Sequence, residues 1–176
     1  MKIALIGAGN LATNLGRALV EAGHTVCQVY SRTLASAETL ASKLGSRGVN
    51  SLAEVVSDAQ LYIVALKDSA LDEVLPVLLK GRSQALWVHT AGSVPMSVWL
   101  ALGLKHYGVM YPMQTFSKAR EVDFAEIPIF LEASGKMEMD ILKSVAASMS
   151  HRVYEADSEQ RRYLHLSAVF ACNFAN

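Results

Sequence analysis

Short apolar runs alternate along the chain with segments whose apolar residues recur every three or four positions. Consecutive apolar residues are typical of strands buried on both faces of a parallel sheet, whereas the wider spacing is typical of amphipathic helices. Strands are predicted at 3–6, 24–30, 61–66, 85–90, 107–112, 127–131 and 152–155, with Val49 in a short extra strand. Helices are predicted at 11–22, 34–44, 51–56, 69–79, 96–102 and 136–149. This alternation predicts an α/β fold, a doubly wound and mostly parallel sheet with helices on both faces.

The last segment departs from this pattern. Residues 163–175 are helical in composition but apolar almost all the way round, so this helix is expected to be buried. Either the chain is part of a longer one whose next domain is helical, or the helix packs into a partner subunit. We therefore expect a first domain over residues 1–156, followed over 157–176 by the start of a truncated helical domain. Pro128 places its strand near an edge of the sheet, because proline has no N–H to donate.

The first predicted strand runs directly into a glycine-rich turn and then a helix. This order is the context that a dinucleotide-binding G-x-G-x-x-A motif requires, and it predicts a Rossmann-type fold. Gly7 can adopt the dihedral angles of the turn, Gly9 has no Cβ to hold a diphosphate away, and Ala12 lets helix and strand pack closely. The predicted cofactor-binding residues of this motif are Gly7, Ala8, Gly9, Asn10, Leu11 and Ala12.

The end of the second predicted strand indicates which dinucleotide is bound. An NAD-binding protein would place a carboxylate here for the ribose hydroxyls, but the chain has Ser31, Arg32 and Thr33, with no acidic residue before Glu38. A guanidinium between two hydroxyls suits the extra 2′-phosphate of NADP, since arginine offers paired donors to a phosphate. In the alternative interpretation, Ser31 or Thr33 only caps the next helix and Arg32 is a solvated surface charge.

Further candidate residues follow the later strands, where ligands of doubly wound sheets bind. Leu66 and Lys67 are expected to contact the cofactor, while Asp68 is read mainly as a helix cap. Thr90 and Ala91 are expected beside the nicotinamide. The candidate substrate-binding residues are Ser93, Gln114 and Thr115, although Ser93 could cap a helix and the other two could belong to a polar loop.

The last predicted helix carries His165 and Asn173 on one face, because eight residues advance a helix by about 80° beyond two full turns. A neutral or charged histidine there could polarise or protonate a carbonyl or imine that accepts hydride, with Asn173 holding the substrate. The alternative is a structural histidine buried with a hydrogen-bond partner. The other histidines show no metal-ligand spacing, and no metal site is expected.

Composition excludes several classes of partner. Basic and acidic residues number 16 each and form no block, which argues against nucleic acid and anionic membranes as partners. No segment has the ~20 apolar residues that a membrane span needs. The two cysteines, Cys27 and Cys172, lie in apolar segments, which favours reduced thiols in a cytoplasmic protein over a disulfide.

Three motifs, Gly7–Ala12, Ser31–Thr33 and Thr90–Ser93, resemble the NADP-binding domain of the 6-phosphogluconate dehydrogenase-like group, which includes pyrroline-5-carboxylate reductases and deazaflavin-dependent NADP oxidoreductases. The blocks 111–116, 163–165 and 171–174 are more similar to a bacterial branch with a C-terminal helical domain of unknown function. The resemblance implies an NADP-dependent oxidoreductase acting on a small carbonyl or imine compound, with a substrate site between two domains or between the subunits of a homodimer. It also implies roles for His165 and Asn173. The alternative is a non-catalytic NADP-binding sensor or scaffold.

Overall fold

The computed structural model describes residues 1–174, with side chains described as far as Ala171. Its strands are β1 (Lys2–Ile6), β2 (Thr25–Tyr30), β3 (Arg47–Val49), β4 (Leu61–Val64), β5 (Leu86–His89), β6 (Tyr107–Pro112), β7 (Ile129–Ala133) and β8 (Val153–Glu155). Its helices are α1 (Asn10–Glu21), α2 (Leu34–Leu44), α3 (Leu71–Leu78), α4 (Ser97–Ala101), α5 (Lys136–Ala147) and α6 (Ser158–Phe174). The strands form one sheet in the order β3-β2-β1-β4-β5-β6-β7-β8.

The sheet is parallel from β3 to β6, and only the β6–β7 pair is antiparallel. Strand order reverses between β1 and β4, which are neighbours, so the connections from these two strands leave in opposite directions. Such a switch point opens a crevice at the carboxyl ends of the strands. The predicted doubly wound Rossmann-type fold is confirmed.

Alternate residues of the central strands pack into separate cores on the two faces of the sheet. Leu5 and Ile63 belong to a core shared with α1, α2 and α5, whereas Ile6 and Tyr62 belong to one shared with α3 and α4. Every residue of β4 and β5 is buried, because helices cover both faces. The continuous apolar runs in the sequence therefore correspond to the centre of the sheet.

Two prolines lie in or next to regular elements. Pro128 lies just before β7, which is the strand next to the edge, and its carbonyl accepts a hydrogen bond from Met113 N at 2.9 Å. Pro76 lies inside α3, which nevertheless continues to Leu78. Proline lacks an N–H, so α3 loses one internal hydrogen bond at Pro76 without ending there.

The last helix, α6, is anchored at its start by a buried ion pair. The side chain of Arg161 is fully buried; it pairs with Glu132 of β7 and donates from Nη2 to the Val94 carbonyl at 2.7 Å. Ser158 donates to Glu132 Oε2 at 2.8 Å and accepts from Met96 N at 2.9 Å. These contacts join α6 both to the sheet and to the loop after β5.

Beyond this anchor, residues 1–174 do not cover the apolar side of α6, and its burial by a further domain or a partner subunit stays a prediction. Four of its large apolar side chains are 39–62% exposed, namely Tyr163, Leu166, Val169 and Phe170. Apolar composition predicts that a surface will be covered, but it does not require the cover to come from residues 1–174.

Candidate functional site

The turn after β1 is held between two neighbouring strands. Gly7 N donates to the Tyr30 carbonyl at 2.8 Å, and Ala65 N donates to the Ile6 carbonyl at 2.7 Å. Gly7 has a φ of +127°, and a Cβ at this position would lie 2.3 Å from the Ala65 carbonyl oxygen. Only glycine meets both constraints, so Gly7 shapes the turn by its backbone.

Gly9 has a different role in the same turn. It precedes α1, no side chain caps the helix at this position, and a Cβ built on Gly9 would meet no described atom within 4 Å. The space beside it is therefore open to a ligand. The first amides of α1 have no partner inside the helix and carry its positive dipole end, while Ala12 is fully buried against the core. This arrangement fits a diphosphate group.

The residues after β2 reach the same edge of the sheet. Ser31 N donates to the Val49 carbonyl at 3.0 Å, and the Ser31 residue is half-buried. Arg32 is exposed, and its side chain makes no ion pair or hydrogen bond within the part of the chain that the structure describes. Thr33 occupies the N-cap position of α2, but its hydroxyl makes no capping hydrogen bond. The charge and the hydroxyl at this position are thus available to a phosphate.

The loops after β4 and β5 are linked by a hydrogen bond that the sequence did not suggest. Ser93 Oγ donates to Asp68 Oδ2 at 2.5 Å. Asp68 begins a short 3₁₀ turn, α3 starts only at Leu71, and α4 starts at Ser97, so neither Asp68 nor Ser93 caps an α-helix. The capping interpretation of both residues is wrong. Their side chains instead bond to each other, because the two loops lie side by side at the edge of the sheet.

Leu66 and Lys67 lie just after β4, on the same edge. Leu66 is half-buried and packs against the core on the α3 face, whereas Lys67 is exposed immediately before the 3₁₀ turn. Position alone thus places an apolar and a basic side chain on the edge of the sheet that carries the Gly7–Ala12 turn. Their predicted contact with the cofactor stays a prediction.

The exit of β5 is built on a buried histidine. His89 is fully buried, stacks on Trp99 at 5.8 Å between ring centroids, and accepts from Ala91 N through Nδ1 at 3.3 Å. Burial, with a smaller contribution from the positive charge of Arg161, lowers the pKa of His89 to about 3. Thr90 is also buried and donates to the Val64 carbonyl at 3.3 Å. A neutral His89 thus holds the backbone on which Thr90 and Ala91 sit.

His165 lies against this exit and is bonded to a tyrosine that the sequence analysis missed. His165 Nδ1 and the Tyr111 hydroxyl are 2.9 Å apart, and Tyr111 lies at the carboxyl end of β6. A Cβ on Gly92 would lie 2.6 Å from His165 Nδ1 and 2.8 Å from Tyr111 Cζ, so glycine is what lets the three residues meet. Burial raises the pKa of Tyr111, against the opposing effect of Arg161, and the phenol stays protonated at neutral pH. The sequence does contain a signal for this residue. Alternation along β6 puts Tyr111 on the same face of the sheet as Val109, at the carboxyl end where ligands bind.

The remaining candidate residues lie in the loop after β6 and near the end of α6. Gln114 and Thr115 are exposed in the loop after β6, where Gln114 Oε1 accepts from Thr115 N at 2.8 Å. The side chain of Asn173 lies outside the described residues, and so does that of Cys172. Cys27 is a free thiol that donates to the Ile3 carbonyl at 3.2 Å.

No group of three or more His, Cys, Asp or Glu side chains within residues 1–174 is placed to hold a metal ion. Of the helices described there, none is both long enough and apolar enough to cross a membrane.

Comparison with known proteins agrees with this geometry. Residues 2–88 match the family described as NADP oxidoreductase, coenzyme F420-dependent, and residues 127–176 match a domain of unknown function, DUF2520. The chain is 58% identical to a Bacteroides fragilis protein assigned as an NADP oxidoreductase, with a TM-score of 0.96, and the alignment covers 99% of this chain and 68% of that one. No match was found among proteins of curated function.

More distant solved structures share the fold. An imine reductase from Myxococcus stipitatus in complex with NADP+ is 19% identical with a TM-score of 0.77, over 98% of this chain and 61% of that one. Synechocystis arogenate dehydrogenase is 18% identical with a TM-score of 0.78, over 92% and 61% of the two chains. At these identities the likeness concerns the fold alone, and this chain spans less than two thirds of either protein.

Proposed function

We propose that this chain reduces a small carbonyl or imine compound, since it belongs to the NADP oxidoreductase family described as coenzyme F420-dependent and carries DUF2520 after that domain. NADP is the cofactor. When bound, it supplies the hydride; the residues described below bind, orient and protonate. The observation that carries the proposal is the half-buried His165, held by Tyr111 against the exit of β5, on the edge that also carries the Gly7–Ala12 turn.

In this proposal, the glycine turn binds the diphosphate and the loop after β2 binds the adenosine phosphate. Gly9 leaves room for the diphosphate at the first amides of α1, and Arg32 with its neighbouring hydroxyls receives the 2′-phosphate. Thr90 and Ala91 border the nicotinamide, since both lie at the exit of the strand beside β4. This placement is supported by open space at Gly9 and by the Arg32 guanidinium, which has no partner among the described side chains.

His165 is the proposed proton donor. As an imidazolium it gives the Nε2 proton to the substrate oxygen or nitrogen as hydride reaches the adjacent carbon, and its Nδ1–H stays bonded to the Tyr111 oxygen. Ser93 lies on the same loop as Gly92 and can hold a polar group of the substrate. Asn173, Gln114 and Thr115 complete the proposed set of substrate-binding residues.

The experiment is an NADPH oxidation assay with aldehydes, 2-oxo acids, cyclic imines and a deazaflavin as acceptors. With an active acceptor, we expect His165→Gln to lower kcat by about 100-fold or more, because a positioned general acid contributes on that order. His151→Gln is the matched control, since His151 is exposed at the start of the loop before β8. An unchanged rate in His165→Gln contradicts the catalytic role. Tight NADPH binding without turnover, coupled to a change in assembly, would instead indicate a sensor.

The role of Arg32 has its own test, which is the binding of NADPH and NADH to Arg32→Ala. We expect NADPH affinity to fall by ~1.5–3 kcal/mol, the range for a charge-assisted hydrogen bond, with a much smaller change for NADH. Fluorescence titration of both coenzymes measures the difference. Equal losses for both would contradict recognition of the 2′-phosphate.

We also propose a division of the chain at residues 156 and 157, with a substrate site completed outside the first domain. The exposed apolar side of α6 and the 68% coverage of the Bacteroides protein support a second helical unit or a homodimer at this position. The described residues around His165 would then form one wall of the substrate site.

A further inference from the structure

The loop between β6 and β7 is fastened across the start of α1. Asn14 of α1 is buried, and its Nδ2 donates to the Ser117 carbonyl at 3.0 Å and to the Asn10 carbonyl at 2.9 Å. Arg17, one turn further along α1, forms an ion pair with Glu121 at 2.5 Å. We call residues 113–123 the strap. These contacts on both sides of Lys118 place its short segment beside α1.

Lys118 lines a cavity of about 200 Å³ between α1 and α2. The rest of the lining comes from one side of α2 and the first turn of α1, and it is mostly small or polar apart from Leu40: Thr13, Ala35, Ser36, Thr39, Leu40 and Lys43. Ser36 N donates to the carbonyl of Thr33, the residue after Arg32, at 3.1 Å. The cavity therefore adjoins the loop that is proposed to receive the 2′-phosphate.

The charge of this cavity is one-sided. Its lining includes two lysines, Lys43 and Lys118, and no aspartate or glutamate. Neither lysine forms an ion pair within the described residues. Like charges that share one small cavity repel each other, and a bound anion removes that repulsion. A phosphomonoester offers enough oxygens for a guanidinium on one side and an ammonium on the other.

We propose that Lys118 is a second phosphate-binding residue, reaching from the strap to the 2′-phosphate of NADP opposite Arg32. Lys118 then discriminates NADP from NAD, although it lies far from the fingerprint after β2 in sequence. The strap, by carrying Lys118, covers the adenosine end of the cofactor site. This inference depends on NADP binding and not on the proposed hydride acceptor.

The test is titration of the full chain with NADPH, NADH, 2′,5′-ADP and 5′-AMP. We expect Lys118→Ala to weaken NADPH and 2′,5′-ADP by about 10-fold, the low end for a charge-assisted contact, and to leave NADH and 5′-AMP within about 2-fold. Lys118→Arg should restore most of the loss. The matched control is Arg120→Ala, which removes an exposed cation from the same strap outside the cavity lining.

Two outcomes would overturn the inference. Unchanged NADPH affinity in Lys118→Ala means that the strap does not reach the phosphate. Equal losses for all four ligands, or the same loss in Arg120→Ala, mean a general effect of charge. Failure here is distinguishable from failure of the proposed function, because the His165→Gln assay reports turnover and not the preference for a phosphate.

Discussion

At the residue scale, the two glycines of the opening turn have separable roles. Gly7 has a positive φ and lies against the Ala65 backbone, whereas a side chain on Gly9 would meet only open space. We expect Gly7→Ala to destabilise the fold by at least ~1–3 kcal/mol, because it combines backbone strain with a clash. We expect Gly9→Ala to leave stability unchanged and to abolish NADPH binding. Urea unfolding and coenzyme titration on both variants measure the contrast.

This pair also shows what the sequence can and cannot predict about single residues. The motif spacing sufficed to predict the turn, because strand, turn and helix are adjacent in the chain. The Ser93–Asp68 and Tyr111–His165 hydrogen bonds join residues 25 and 54 positions apart, and strand order across the sheet brings them together. Periodicity carries no information on strand order. Normal NADPH binding by Gly9→Ala would contradict the assignment of the open space at Gly9 to the coenzyme.

His89 gives the fold a dependence on acid. The unfolded chain binds a proton near pH 6.5, whereas the folded chain binds it only near pH 3. The stability that neutral His89 contributes is therefore fully present above pH 6.5 and is lost as pH falls towards 3. By pH 5 we expect the free energy of unfolding to have fallen by about 2 kcal/mol from this residue. His89→Phe, which keeps a ring on Trp99, should remove that part of the urea-unfolding pH dependence, whereas a profile parallel to wild type would contradict it.

At the element scale, α6 is positioned by charge rather than by its apolar side. The sequence suggested a buried apolar helix, yet its fully buried large side chain is Arg161, and several of its apolar residues are exposed. Pattern analysis reads a lone arginine as a surface residue. Here Glu132 of β7 provides a partner that lies 29 positions away, which no local pattern could indicate.

We expect Arg161→Met to destabilise the protein by ~3–5 kcal/mol, because Glu132 and Ser158 would lose their buried partner. The double variant Arg161→Met, Glu132→Leu should recover much of the loss, since two apolar side chains can replace a buried ion pair. Urea unfolding of the single and double variants makes the comparison. Additive losses in the double variant would show that the pair is not coupled.

At the scale of the whole molecule, the sequence could predict the order of the strands and helices but not what covers the apolar side of α6. The alternation of strands and helices predicted the sheet because each βα unit is local, and Pro128 indicated a strand close to an edge. What covers α6 depends on residues outside those described. This is why the sequence pointed to two occupants, a helical domain and a partner subunit.

We expect the chain of residues 1–176 to associate through α6, since Leu166 and its apolar neighbours form an exposed stripe. Leu166→Lys should lower the apparent mass in sedimentation velocity experiments at tens of micromolar protein. Val77→Lys on α3, which is also an exposed apolar position, is the matched control. Association that survives Leu166→Lys would place the contact elsewhere.

The hydrogen bonds on both sides of Gly7 have one more consequence. A turn that is already tied to β2 and β4 loses little freedom when coenzyme arrives, so capture carries a small entropic cost of ordering. Arrival of the diphosphate should then be governed by encounter with the crevice, and its rate constant should vary with solvent viscosity as free diffusion does.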